Sequence, residues 1–368
     1  MSQLEAPADL RPLTALRFGA AIWVALFAFW PDLDVSWMPN LVAKGYLGVE
    51  LFFVLSGFIL CHVYLAAHGE KRFSYGSFLW ARIARVYPLH IATLMGVGAL
   101  AFGAVAAGLS INGNILSWAA LPANLLMVHA WGFAPVAGWN HPSWSISAEW
   151  FAYLCFPAFA FVAWRLRERP IAAVIGAVAF LVALYVVFQM LAGFPLTQAT
   201  ILWGALRIVP CFALGCALYL MHRKIRLPRP GWIAAGVAAA IAVAGSLQAP
   251  DALIVPLCGA LIVALASLPN ARAGWLASKP AVYLGEISYS VYMVVVPWKL
   301  LAVNAASKLT GGGEKLQLFV WLAVFLTLPL VAAVSYHLVE FPARRALRDL
   351  AKRRAERAKA RTGGPQLA

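Results

Sequence analysis

Apolar residues along this chain come in runs of about twenty, each closed by a short polar or basic cluster, and that rhythm predicts membrane helices rather than strands. Counted at ~20 residues per crossing, spans are expected near 12–30, 45–66, 88–108, 145–164, 171–193, 200–221, 231–247, 252–269, 281–302 and 316–338. The stretch from Ser110 to Ser143 breaks the rhythm. Its apolar runs, Leu116 to Leu121 and Leu125 to Val128, are too short to cross, so it is expected as a re-entrant or interfacial segment.

Charge supplies an orientation. Lys71, Arg72, Arg82 and Arg85 follow the second expected span, Arg165, Arg167 and Arg169 the fourth, and His222, Arg223, Lys224 and Arg226 the sixth. A tail rich in Arg and Lys, Arg344 to Arg361, follows the tenth. By the positive-inside rule these clusters are cytoplasmic, and both termini with them. The expected fold is therefore all-α: a polytopic bundle of about ten transmembrane helices. One membrane domain should cover 1–343, with a basic cytoplasmic tail over 344–368 that is either a helix on the anionic inner leaflet or disordered.

Composition agrees and removes other classes. With 63% hydrophobic and 12% charged residues, and a mean hydropathy of +0.80, the chain does not have the makeup of a soluble domain. The net charge of +15 does not point to nucleic acid, because the basic residues sit between apolar runs and in one tail. Cys61, Cys155, Cys211, Cys216 and Cys258 all fall in apolar segments without paired or metal-ligand spacing, so they read as packing residues and no metal site is expected. Met1 to Arg11 lacks the basic-then-apolar progression of a cleaved signal peptide, and the first span is expected to stay in the membrane.

Against this background the polar residues inside spans stand out. Glu50 lies in the run Gly48 to Gly57, where a carboxylate costs ~2.5 to 3.5 kcal/mol on insertion scales and is by default functional; the alternative is an ion pair between helices. Arg207, about one-third of the way through the sixth span, should face the interior and pair with an acid. Arg82 and Arg85 lie one turn apart and can grip phosphates with forked hydrogen bonds, or else simply meet lipid headgroups. Glu149 opens the fourth span between Trp144 and Trp150, either as a site residue or as a helix-end acid capping with Ser145 or Ser147.

Read in order, the motifs resemble a family. Leu16-Arg17 opens the first span, Gly48 to Gly57 the second, and Arg82-Ile-Ala-Arg85-Val-Tyr-Pro88 precedes the third. Trp144-Ser-Ile-Ser-Ala-Glu149-Trp-Phe-Ala-Tyr153 follows, then Arg207 with Phe212 and Gly215, Leu284-Gly-Glu-Ile-Ser-Tyr-Ser-Val-Tyr292, and Glu340-Phe-Pro342. This order resembles the membrane-bound acyltransferase family 3, bacterial proteins that O-acylate sugars of surface polysaccharides, peptidoglycan, signalling oligosaccharides or macrolides. The resemblance covers nearly the whole chain and implies an inner-membrane enzyme moving an acetyl or similar group from cytoplasmic acetyl-CoA to a sugar hydroxyl. The acceptor it implies is an exopolysaccharide or lipid-linked oligosaccharide, with membrane lipids as the other partner and no metal or nucleic acid.

It also implies roles. Arg17, Arg82 and Arg85 would hold the donor, Glu50 and Glu149 would serve catalysis, and Trp144, Ser147, Arg207 and Tyr289 would face the substrate. Trp37 could stack on acceptor sugar rings, and Ser56 and Ser147 are conceivable acyl carriers, though small packing residues are the commoner use of serine at helix contacts. One departure bears on activity: the family's first-span Arg is followed eleven residues later by a His, and here that position is Ala28. Eleven helical residues rise ~16 Å, which sets position 28 at the depth expected for Glu50 and Glu149, where a His would complete a cluster with one or both acids. A hydroxyl needs a base, and His titrates near working pH. His141 could approach Glu149 as a substitute, but a solvated loop histidine is the simpler reading. Ala28 leaves three accounts open: an Ala put in place of a catalytic His, a member whose base has moved, and one that binds without reacting. The rival class is a transporter or flippase for a lipid-linked sugar, against which stands the lack of a detectable inverted repeat.

Overall fold

The computed structural model describes residues 9–108, 113–311, 313 and 315–362. Each of the ten expected segments is helical. The helices are α1 (Arg11–Phe29), α2 (Gly48–Gly69), α3 (Tyr75–Ala106), α4 (Trp144–Leu154), α5 (Phe156–Arg165), α6 (Pro170–Ala192) and α7 (Gly204–Lys224). After them come α8 (Pro230–Ser246), α9 (Asp251–Ala266), α10 (Lys279–Glu286), α11 (Ser288–Leu309), α12 (Leu318–Ser335) and α13 (Phe341–Thr362). Among the described residues seven helices are long and apolar enough to cross a membrane, and the bent pair α4–α5 makes up to eight; α8 and α9 are shorter apolar helices. The protein is a polytopic helical membrane protein.

Proline accounts for several boundaries. It occupies the first turn of α1, α6 and α8, where its missing N–H is no loss. The span expected as one helix over 145–164 is instead bent by 56°. Pro157, next to the break, cannot donate to the carbonyl one turn back. The span expected at 281–302 is likewise two helices, α10 and α11, meeting at Ile287. Conversely, Pro88 does not open the third helix: α3 starts at Tyr75, where Ser74 accepts from the Ser77 amide, and runs through Pro88. Arg82 and Arg85 therefore sit inside a helix and not in the loop before one.

Burial sorts the bundle. In α7, 72% of the most apolar window is buried, against 22% in α6, whose Ile171, Ile175, Val186, Val187, Met190 and Leu191 form an exposed apolar face suited to lipid. The centre is α2 packed on α7. Gly57 and Gly215 let the two backbones meet: a methyl on Gly57 would overlap the Phe212 carbonyl oxygen, and one on Gly215 that of Val54. A second core joins α1, α11 and α12 through Phe29, Val291, Trp321 and Leu328.

The two ends of the bundle differ. One gathers basic clusters, with Lys224 paired to Glu168 at 3.0 Å and Trp80 donating to the Leu347 carbonyl of α13 at 2.9 Å. At the other, Asp251 accepts from Lys44, Tyr46 and Thr197, and Asn40 donates to the Ser246 carbonyl at 2.8 Å. Of the stretch expected to fail to cross, positions 110–112 lie outside the described residues. The remainder holds helical pieces of at most five residues. They are folded back against α3 and α4 by His90 Nε2 with the Asn124 carbonyl, at 2.8 Å, and by the Ala130 amide donating to Ser147 Oγ at 3.0 Å. The tail is helical from Phe341, so α13 runs across the boundary expected between 343 and 344. A single π-helical turn, Tyr336–Glu340, joins it to α12.

Candidate active site

A cavity of about 420 Å³ opens between α1, α2, α3, α4 and α11. Arg17 enters it from α1, and Arg82 and Arg85 from α3, so the three arginines expected to act together do line one space. Glu149 and Tyr153, one turn apart on α4 and so on one face, enter from the side. Ser56 of α2 donates to Glu149 Oε1 at 2.7 Å. Tyr289 and Tyr292 close the α11 wall; the Tyr289 hydroxyl donates to the Val86 carbonyl at 2.7 Å and that of Tyr292 to the Pro142 carbonyl at 2.8 Å, so both rings are fixed.

The arginines are differently held. Arg82 reaches the Tyr64 hydroxyl at 3.5 Å, and its guanidinium carbon lies 5.8 Å from the ring centres of Tyr64, Phe78 and Tyr153. Its Nε is buried and has no hydrogen-bond partner among the described residues. Arg17 and Arg85 feel the fields of Glu149 and Glu340. Glu340 is buried on the π-helical turn and accepts from Ser290 at 2.7 Å. Such one-turn π segments recur at functional sites, because the extra residue re-aims a side chain.

Glu50 is elsewhere. Its carboxylate takes both forks of Arg207, Nε at 2.5 Å and Nη2 at 2.9 Å, with 0% and 2% of the two side chains exposed. Arg207 gives its third bond to the Ala199 carbonyl at 2.8 Å, and Trp144 lies over the guanidinium at 4.5 Å. The pairing expected of Arg207 is thus found, and its partner is the acid read from sequence as a functional candidate. Neither residue lines the cavity, nor does Trp144. Ser147 is occupied as well: besides the Ala130 amide, its carbonyl accepts from Trp131 Nε1 at 2.9 Å, which ties the re-entrant segment to α4.

The cluster expected around position 28 does not assemble. Ala28 packs with the α1, α11 and α12 core, and its carbonyl accepts from Lys299 Nζ at 2.9 Å, while Glu50 faces α7 and Glu149 faces the cavity. Equal depth along two helices does not make residues neighbours; each also needs the right face. Sequence reading missed the Ser56 and Glu149 pair and His62 in the cavity wall, Tyr64 as a partner of Arg82, and Glu340 as a buried acid near the arginines. The signal that could have found Glu340 is its place as an acid at the end of an apolar span facing a basic cluster. His141 is exposed at the start of the turn before α4. Among the described residues no three His, Cys, Asp or Glu side chains gather as metal ligands.

A family model described as an acyltransferase domain matches residues 13–338. The chain belongs to acyltransferase family 3. Within this family it is 30% identical to the acyltransferase MdmB of Streptomyces mycarofaciens, over 82% of the chain and 81% of the relative. It is 22% identical to the O-acetyltransferase OatA of Staphylococcus aureus, over 94% of the chain but only 59% of that longer protein. A 52-residue stretch, 14% of the chain and 27% of the relative, is 50% identical to Protein 2 in picA locus of Rhizobium radiobacter. No solved structure matches. This member of the family is a multi-pass membrane acyltransferase.

Proposed function

We propose that the protein moves an acetyl or similar short acyl group from a cytoplasmic acyl-CoA, above all acetyl-CoA, to a sugar hydroxyl of an exopolysaccharide or another surface glycan, in the bacterial inner membrane. The observation that carries this reading is the meeting of Arg17, Arg82 and Arg85 with Glu149 around one cavity. Guanidiniums suit phosphates, and the unpartnered Nε of Arg82 is a donor awaiting an acceptor. In the transfer the sugar oxygen attacks the thioester carbonyl carbon, the carbon–sulfur bond breaks, and the thiolate leaves. The hydroxyl proton needs an acceptor, and Glu149 would take it, a role supported by its position in the cavity wall and its hydrogen bond from Ser56. Acceptor sugars would reach this point from the opposite end, where Trp37 is exposed and packs on Trp30.

The test uses purified protein and radiolabelled acetyl-CoA, with mass spectrometry of surface polysaccharide from cells with and without the gene. Arg82→Ala should abolish donor binding, whereas Glu149→Gln should keep binding and lose transfer. A wild-type protein that binds no acetyl-CoA, or glycans with identical acetylation in both strains, would overturn the reading.

A further inference from the structure

Glu149 divides the cavity. Toward Tyr153, one turn further along α4, lies Arg82, whose guanidinium carbon is 5.8 Å from the Tyr153 ring centre. Toward the start of α4 the wall turns apolar, with Val49, Phe52 and Phe53 of α2, Ile146 of α4 and the ring of Tyr292. There α2 and α4 keep step: Ser56 meets Glu149, and about one turn earlier on both helices Phe53 meets Trp144, edge to face at 6.2 Å. The hydroxyls on that side are spent on each other and on the backbone, since Ser145 Oγ donates to the Tyr292 hydroxyl at 2.8 Å and the latter to the Pro142 carbonyl. This apolar end is longer than an acetyl group requires. From Ser56 back to Val49, both in the wall, α2 rises ~10 Å, whereas an acetyl methyl lies one carbon–carbon bond, ~1.5 Å, past the carbonyl carbon. Its far wall is braced as well. Phe53 is buried against Trp144, Trp144 lies over the Arg207 guanidinium at 4.5 Å, and Arg207 is forked to Glu50. A close-packed apolar wall selects by size, because it does not yield freely to one more methylene.

We infer that Phe53, Ile146 and Tyr292 bound an acyl-chain pocket that admits straight chains longer than acetyl, butyryl among them, and that Phe53 and Ile146 set the longest chain transferred. The inference rests on the proposed function and deepens it, since it concerns which acyl group is moved. It also gives the buried Glu50–Arg207 pair a place in the site without contact to substrate: through Trp144 it holds the wall on which the chain would end.

The experiment supplies radiolabelled acetyl-, butyryl- and octanoyl-CoA to inverted membrane vesicles from cells carrying the gene and measures label in the glycan fraction, with vesicles lacking the gene as blank. The wild type is compared with Ile146→Phe, which narrows the pocket, and with Ile146→Ala and Phe53→Leu, which widen it. Ratios taken within one preparation cancel differences in the amount of folded protein. The wild type should use butyryl-CoA within about tenfold of acetyl-CoA. Ile146→Phe should lower the butyryl-to-acetyl ratio on the order of tenfold or more, and the two widening variants should raise the octanoyl-to-acetyl ratio by a similar factor, the range for methylenes gained or lost in an apolar pocket. A wild type active with acetyl-CoA and blank with butyryl-CoA overturns the inference by itself, whatever the variants do. So do variants whose ratios stay at the wild-type values or whose activity falls equally for every chain length, which would leave these residues as packing alone. Wild-type vesicles that transfer no acyl group from any of the three donors overturn the proposed function and the inference with it.

Discussion

Glu50 offers the sharpest test, because its two possible roles predict opposite pairs of measurements. In the structure it is the counter-ion of Arg207, both side chains are buried, and every guanidinium nitrogen has an acceptor. Glu50→Gln keeps the shape but removes the charge and turns one of the two acceptor oxygens into a donor facing a donor. Losing one charge-assisted bond costs about 1.5–3 kcal/mol. Adding the uncompensated guanidinium brings the loss to about 3–5 kcal/mol, the range for breaking one partner of a buried pair. For a chain of this size such a loss lowers the melting temperature on the order of 10 °C. Replacing both partners by apolar side chains, Glu50→Leu with Arg207→Met, should recover most of it, since no charge then remains to be desolvated. The assay is thermal unfolding in detergent, followed by tryptophan fluorescence, with transferase activity measured on the same preparations. If Glu50→Gln melts within about 2 °C of the wild type, a shift worth only about 1 kcal/mol, and yet loses activity, then Glu50 serves chemistry and the structural reasoning fails.

Three further outcomes are expected. Gly215→Ala should sharply reduce folded protein in the membrane, because the methyl would strike the Val54 carbonyl, while Gly96→Ala, with open space around it, should be neutral; equal yields would refute the close α2–α7 contact. His129 is buried, stacked on His90 at 5.9 Å, and burial together with that neighbour pushes its pKa down to about 3. The unfolded chain, titrating near ~6.5, then binds the proton more tightly, so stability should fall as pH drops from ~6.5 toward 3. His129→Gln should flatten that slope in melting curves taken from pH 7.5 to 5, and parallel curves would refute it. Ala28→His should raise acetyl transfer if the family's base is the missing element, and an active parent with no gain on substitution would show that position 28 is not where this chain keeps its base.

Long apolar segments were legible because a membrane leaves the backbone few alternatives to helix. What the pattern could not show was where a helix bends or continues. Pro157 interrupts and Pro88 does not, although both follow an aromatic residue in an apolar run. That Arg82 and Arg85 line one space was legible for a similar reason, since they share one helix and their spacing alone sets their common direction. Glu50 and Arg207 were each recognised as unusual, yet their partnership joins α2 to α7 across 157 positions, and no local spacing encodes it. The cluster imagined around position 28 failed on the same ground, for depth could be counted along each helix but rotation about its axis could not.

That failure bears on what an alanine at position 28 leaves behind. From Arg17 in the cavity, α1 rises ~16 Å to Ala28, one residue before the helix ends at Phe29. The last-turn carbonyls of a helix lack intrahelical donors, and here Lys299 supplies one, donating to the Ala28 carbonyl while pairing with Asp32 at 2.8 Å. Lys299 is therefore held between a carbonyl and a carboxylate at the end of α1. A histidine introduced at 28 would stand on the last turn of α1, on the residue whose carbonyl that ammonium already holds. In the chain as it stands, the carboxylates that meet the cavity are Glu149 and Asp9, the latter paired with Arg11, and His62 is the histidine in its wall. The cavity wall thus offers both a carboxylate and an imidazole without any help from position 28.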